Sequence, residues 1–481
     1  MTITQLPFCS RVDIGVVRQI VAGVLCTFLM LDNGLHEGWS TSMIPKLMGG
    51  DDPIQVTSKQ SAWVINYLSV GGVTGPLLAL YLMDKIGRKW SIICAAIPKT
   101  GSWLCFALAN DHSILYLGRF FAGVGSGISL CVIPIYIGEV TDKRTRGPLS
   151  TFIALMNNVG ILIAYVLGLY LSRVSLSIIC IWIPSIFLVL FIWMPESPMY
   201  LRKVHKVARA ESVLRWTLGK EDISQEMDEI EKIVSNEPAN CFVNAYVSVK
   251  EIVQRRGTRK AFRIIIVLFT SLVFSGIPAI LSYQTNIYSQ AGMKVSTNIS
   301  VIITGVAIVF AGVICVSLVK FTGKRKLLLI SAPTTTGCLV ALAIFFLLQS
   351  LGVDITVVNW IPMVFVILYV ISYGVGLDSI AYSYQGEIFP DSIKSFAAMF
   401  CALYYSFLSI LIVKIYQELA DVFGIHAPLW IFIIATLINW LLIYVIVPET
   451  EGRSLSQIQK QLHEEKTTTK VLKKSASYIF S

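Results

Sequence analysis

Among the ionisable residues inside long apolar runs of this 481-residue chain, Glu37, Lys99, Arg119 and Asp378 stand out. A charge in such a run is costly unless it pairs or faces water, so each is a candidate for gripping a solute, binding a proton or locking two elements together. Glu37 and Arg119 are expected to lie close enough to pair, either as a static bridge or as a proton-sensitive gate. His36, beside Glu37, adds a group that titrates near neutral pH. Asp378 precedes Glu387 by about 13 Å of helix, and Lys99 has no evident carboxylate partner. A second set, Asp84, Arg88, Glu139, Arg146, Glu387 and Lys394, stands at the ends of apolar runs. There opposite charges can pair in one conformation and separate in another. Nothing in the sequence points to an enzyme: no nucleophile dyad, phosphate loop or metal cluster is evident. Gly118–Gly127 imitates a dinucleotide loop but lacks a preceding strand, and reads better as close helix packing through small residues.

These residues need elements that hold them at depth. The chain is 55% hydrophobic and 14% charged, with a mean hydropathy of +0.70. Runs long enough to cross a bilayer as helix number about twelve: 17–40, 60–83, 91–110, 113–138, 148–171, 175–194, 263–288, 299–319, 327–349, 358–386, 395–419 and 426–447. They do not alternate, so they predict an all-α membrane protein rather than a barrel. Met1–Arg18 has no cleavable leader pattern. The ten cysteines are scattered and form no disulfide framework. The net charge of +10 is not a nucleic-acid footprint. Its basic residues gather after spans 2, 4 and 8, which predicts both termini in the cytosol.

One loop is written twice. Asp84-Lys85-Ile86-Gly87-Arg88-Lys89 follows the second run, and Lys320-Phe321-Thr322-Gly323-Lys324-Arg325 follows the eighth. The repeat predicts two pseudo-symmetric halves that rock about a central cavity. We expect a bundle of six spans over residues 1–194, a cytosolic linker over 195–262, a second bundle over 263–450 and a cytosolic tail over 451–481. The linker carries helix-like stretches at Val207–Thr217 and Ile223–Ile233, and serves as a tether or a latch. Asn298-Ile299-Ser300 is a glycosylation sequon in a predicted outer loop.

The chain resembles the sugar porter family of the major facilitator superfamily, most closely its insect facilitated trehalose transporter branch. The resemblance is carried in order by Gly38-Trp39-Ser40, Asp84…Gly87-Arg88-Lys89, Gly118-Arg119, Pro134…Tyr136…Glu139, Arg146-Gly147, Pro195-Glu196-Ser197-Pro198, Gly386-Glu387 and Pro448-Glu449-Thr450-Glu451-Gly452-Arg453. It implies the major facilitator fold, about twelve helices in two six-helix bundles, in a plasma-membrane carrier without cofactor. The partners implied are a small neutral solute, a sugar, and the lipid bilayer.

The family's sugar-gripping positions are largely changed. They fall on Ala154, Leu272, Val273, Pro278, Ile308, the run Asp378–Tyr382 and the pair Tyr405-Ser406, while Ser275, Gly276 and Tyr283 keep the span 7 motif. Leu, Val and Ile offer a sugar hydroxyl no partner, and each unmatched polar group costs roughly 1–3 kcal/mol. Without the family prolines, span 10 is expected to be straighter, and Pro278 to break span 7. Candidate solute contacts are Trp39, Ser40, Asn157, Asn158, Ser275, Tyr283, Asp378 and Tyr382. Ser40 occupies the place where proton-coupled sugar porters carry an acid, which points to uniport. The expected function is facilitated diffusion of trehalose or a hexose by alternating access. The alternatives are a carrier of another solute through the changed cavity, or a non-transporting sensor of the same fold.

Overall fold

The computed structural model describes residues 14–235, 254–292, 296–389, 393–451 and 457. Twelve helices among them are long and apolar enough to cross a membrane. Spans 1 to 6 are Ile14–Gly49, Ser58–Lys85, Arg88–Leu108, His112–Val140, Phe152–Tyr170 and Arg173–Phe191. Spans 7 to 12 are Arg256–Ser282, Thr297–Val319, Lys324–Ser350, Ile361–Glu387, Phe396–Phe423 and His426–Ile446. The shortest have 19 residues, about 28 Å of helix, which matches a hydrocarbon core of about 30 Å. A helix satisfies its own backbone, so these runs can sit in lipid.

The spans form two bundles of six. In the first, span 1 packs on span 5, and span 4 on spans 2 and 3. In the second, span 7 packs on 11 and 12, span 9 on 10 and 12, and span 8 on 10. The bundles meet where span 2 lies on span 11 and span 5 on span 8. A two-fold relation between the halves would exchange those two contacts. The closest crossings use glycine: a Cβ on Gly123 would come within 2.0 Å of Leu68 O, across spans 2 and 4. Part of the Gly118–Gly127 run therefore serves helix packing.

Two spans depart from a straight rod. Span 7 breaks at Gly276 (φ 88°), and Pro278 lies in the first turn of the short helix Ile277–Ser282 that follows. Span 10, expected to straighten, instead contains a π-helical turn, Gly374–Asp378, between Ile361–Tyr373 and Ser379–Glu387. The cause is a side chain from span 9. Ser331 Oγ donates to Ser372 O at 2.6 Å and accepts from Leu377 N at 3.3 Å, entering the helical ladder. Gly376 makes room, since a Cβ there would sit 2.1 Å from Ser331 Cβ.

After span 6 come short helices Pro198–Lys203, Val207–Leu218 and Ser224–Ser235. Span 1 holds the second of them. Arg18 Nη1 donates to Trp216 O and Gln19 Nε2 to Thr217 O, each at 3.0 Å, capping carbonyls at its C-terminal end. Below, the end of the bundles bearing these helices is the linker end, and the opposite one the far end.

Candidate functional site

The repeated loops build matching knots at the linker end. Gly87 (φ 93°) and Gly323 (φ 80°) turn the chain into spans 3 and 9. The exposed N–H groups of each new helix meet a carboxylate from beyond the sixth or twelfth span. Arg88 N and Lys89 N donate to Glu196 at 2.9 and 3.0 Å. Lys324 N and Arg325 N donate to Glu449 at 3.2 and 3.0 Å. An anion at a helix N-terminus is favoured by both hydrogen bonding and dipole. Burial nevertheless pushes Glu196 above the ordinary glutamate range, against its backbone hydrogen bonds and the charge of Arg88. Tyr136 OH donates to Pro195 O at 2.9 Å, and Tyr384 OH to Pro448 O at 2.6 Å.

The charges at the ends of the apolar runs, which could have held one bundle to the other, pair within bundles here. Arg88 Nε pairs with Glu139 Oε2 at 3.0 Å and its Nη2 donates to Glu139 Oε1 at 3.0 Å. Lys324 pairs with Glu387, and with Glu451 at 3.2 Å. Asp84 pairs with Lys203 of the first linker helix at 3.2 Å. Arg146 is exposed and its Nη2 donates to Thr141 O at 3.4 Å. The Lys394 side chain lies outside the described residues.

The core of the first bundle holds a fully buried polar cluster. Lys99 Nζ donates to Leu29 O at 2.8 Å and to Asn33, and pairs with Asp32 at 3.5 Å. Asp32 also accepts from Trp103 Nε1 at 2.8 Å and stands 3.5 Å from His36. Asp32 is thus the partner that sequence reading did not find for Lys99. The signal was present: an acid four residues before His36, on the same helical face. Arg119, also buried, donates to Val64 O at 3.0 Å, to His36 O and to Ser40 Oγ at 2.7 Å. It does not pair with Glu37. Trp39 stacks on Phe106 at 4.6 Å beneath the Arg119 guanidinium, 5.5 Å away. Trp39 and Ser40, expected at the solute, are fully buried within their own bundle.

Glu37 faces the other way. It is exposed while its neighbours in span 1 are buried, and it accepts from Asn157 Nδ2 of span 5 at 3.2 Å. Across from it, span 10 presents half-buried Asp378 and Tyr382, 43% exposed. Asp378, Tyr382 and Tyr405 of span 11 all lie within electrostatic reach of Glu37. Tyr382 packs edge-on against Phe269 of span 7 at 5.5 Å. Asn158 lies against span 8, where a Cβ on Gly312 would meet its amide at 3.3 Å. Polar groups from both bundles, exposed in mid-span, mark a central gap.

Ser275 is buried; its Oγ donates to Leu272 O at 2.7 Å and its carbonyl accepts from Tyr369 OH at 3.0 Å. Tyr283 is buried and stacks on Tyr416 at 5.2 Å. Asn298 is exposed in the first turn of span 8, at the far end. Lys414 and Glu418 pair at 2.7 Å on span 11. Hydrogen bonds between the bundles occur toward the far end. Thr41 Oγ1 donates to Leu281 O and Thr285 Oγ1 to Thr41 O, both at 2.7 Å, and Ser58 Oγ donates to Asp421 at 2.8 Å.

Comparison with known proteins places this geometry. A family model described as "Sugar (and other) transporter" matches residues 21–462. A facilitated trehalose transporter Tret1 of Apis mellifera ligustica is 27% identical over 460 residues, covering 95% of this chain and 91% of its own. The Tret1 of Bombyx mori is 28% identical, covering 92% and 86%. Among solved structures, the major facilitator proton:xylose symporter XylE bound to 6-bromo-6-deoxy-D-glucose superposes with a TM-score of 0.72 at 20% identity, covering 93% of this chain and 99% of that one. An inward-open structure of the xylose transporter XylE from E. coli gives 0.70 at 18% identity, with 92% and 98% covered. These likenesses establish the major facilitator fold.

Proposed function

The chain belongs to the sugar (and other) transporter family, and on that premise we propose that it is a facilitative carrier of a small neutral sugar, trehalose or a hexose, working by alternating access. The observation that carries this reading is the central gap. Glu37 and Asn157 face it from the first bundle, Asp378 and Tyr382 from the second. Carboxylate, amide and phenol together can accept from and donate to sugar hydroxyls, and Tyr382 adds an aromatic face. The far-end bonds of Thr41 and Ser58 close one side of that gap. Breaking them while closing the linker end would turn the gap toward the other side.

The linker end is the cytosolic one in this reading, because the basic loops collect there. The sixth and twelfth spans close the two halves, and the membrane is the plasma membrane. Asn298 then faces outward, where the sequon can be glycosylated. The linker helices are a docked element rather than a loose tether, since span 1 caps one of them.

Flux of labelled trehalose and glucose into vesicles containing the purified chain tests the proposal. Saturable entry is the expected result. Binding without flux would make the protein a sensor, and neither would leave it a carrier of something else. One observation favours a second reading: two carboxylates, Glu37 and Asp378, address the same gap from opposite bundles. That arrangement suits a solute bearing positive charge, and flux of an organic ammonium that exceeds sugar flux would establish it.

A further inference from the structure

The far-end joint contains more polar groups than a simple closure needs. Span 1 contributes Thr41, whose hydroxyl and carbonyl both bond the short helices after the Gly276 break. Thr41 Oγ1 also stands 3.5 Å from Tyr165 OH of span 5. Tyr288 OH and Thr304 Oγ1 of span 8 share a hydrogen bond of 2.7 Å. Among these hydroxyls lies Gln284, one residue before Thr285 and one turn before Tyr288. Its side chain is 0% exposed, and its amide lies within reach of Tyr288 OH without a well-formed hydrogen bond to any partner.

A primary amide sealed without a well-formed hydrogen bond is costly to keep. That cost favours a conformation in which the amide finds full partners. The joint is built to come apart: it links the two bundles, and Gln284 opens the second of two short helices that follow a glycine break. When the far end opens, the amide and the four neighbouring hydroxyls face the entering solute together. An amide offers one acceptor and two donors, and each hydroxyl can act either way. That mixture fits several hydroxyls on one small molecule.

We propose that Gln284, with Thr41, Tyr165, Tyr288 and Thr304, forms an outer binding station for a polyhydroxylated solute, occupied before the solute reaches the central gap. The proposal rests on the sugar-carrier reading above. Closure moves the hydroxyl bonds from solute to protein and leaves the amide poorly paired beside Tyr288, so the station empties inward.

The test uses the full chain in sided vesicles, with Gln284→Met as a near-isosteric variant. Uptake from the far side and release from the linker side are measured for trehalose, D-glucose and their singly deoxygenated analogues. The expected result is a rise of about three- to tenfold in the far-side KM for the parent sugar. One deoxy analogue, lacking the hydroxyl that the amide binds, should show no such rise. A shift of equal size for every analogue would mean that Gln284 only biases closure, and would overturn the proposal, as would an unchanged KM. Gln284→Cys supplies a readout independent of flux: far-side maleimide labelling should be slowed by the parent sugar, and labelling indifferent to sugar would also overturn it. A wild-type chain that neither binds nor carries any of these sugars would instead remove the carrier reading beneath it.

Discussion

The two linker-end knots use one design and different side chains. Both place a glycine turn, cap a new helix with a Pro-Glu carboxylate and return a tyrosine hydroxyl to the proline carbonyl. The first then closes with Arg88, which approaches Glu139 through two nitrogens and is largely buried with it. The second closes with Lys324, shared between Glu387 and Glu451, both more than a third exposed or nearly so at 38% and 34%. In the first half Asp84 reaches a linker helix through Lys203, whereas the second half carries Lys320 in the matching place. The backbone-to-carboxylate bonds are thus what the halves share. The side-chain pairs are where they differ, and the first half is the more firmly tied.

The largest effect should come from Arg88→Ala. It leaves the largely buried Glu139 carboxylate with Ser197 Oγ as its remaining donor and no opposite charge, and should cost on the order of 2–4 kcal/mol, read as a lowered Tm of the purified protein. Lys324→Ala should cost less, about 1 kcal/mol, because water can solvate Glu387 and Glu451. Equal losses in the two variants would break the comparison. Similar in size to the Lys324 effect is a matching test at the central gap, where each half contributes one carboxylate. Glu37→Gln and Asp378→Asn should each change the KM for the carried solute by about three- to tenfold. Glu37→Gln should also alter any pH dependence of flux, and flat profiles in both forms would remove the proton-gate idea.

The smallest effect concerns Glu196 against pH. Its carboxyl lies above the ordinary range in the folded protein because it is buried. A raised folded value means that the group contributes stability below the unfolded pKa of about 4.3 and loses it as pH rises through the folded one. Glu196→Gln keeps an acceptor for Arg88 N and Lys89 N, so it should be tolerated. It should also flatten the fall in Tm as pH rises above about 4.3. An unchanged slope would show that another group carries it.

Much of the frame is legible in the sequence. Apolar runs named the twelve spans, because length and lack of charge are all that a bilayer demands of a helix. The doubled Gly-basic loop announced two halves because its glycine must adopt positive φ in both. Individual side chains were less legible. Trp39 and Ser40 read as solute contacts, yet they turn into the bundle while Glu37 turns to the gap. At 100° per residue, one or two positions decide which side of span 1 a group meets. The π turn in span 10 was hidden because its cause, Ser331, lies in another span.

Composition and order therefore determined that this chain lives in lipid, folds as two related bundles and carries its basic loops at one end. Those are properties of each segment alone, and segments obey them without consulting their neighbours. Whether Arg88 ties one bundle or bridges two, which acid answers Lys99, and which polar groups share the gap or the far-end joint were decided only by tertiary packing. Such pairings depend on helix rotation and crossing, and those follow from contacts between residues far apart in the chain.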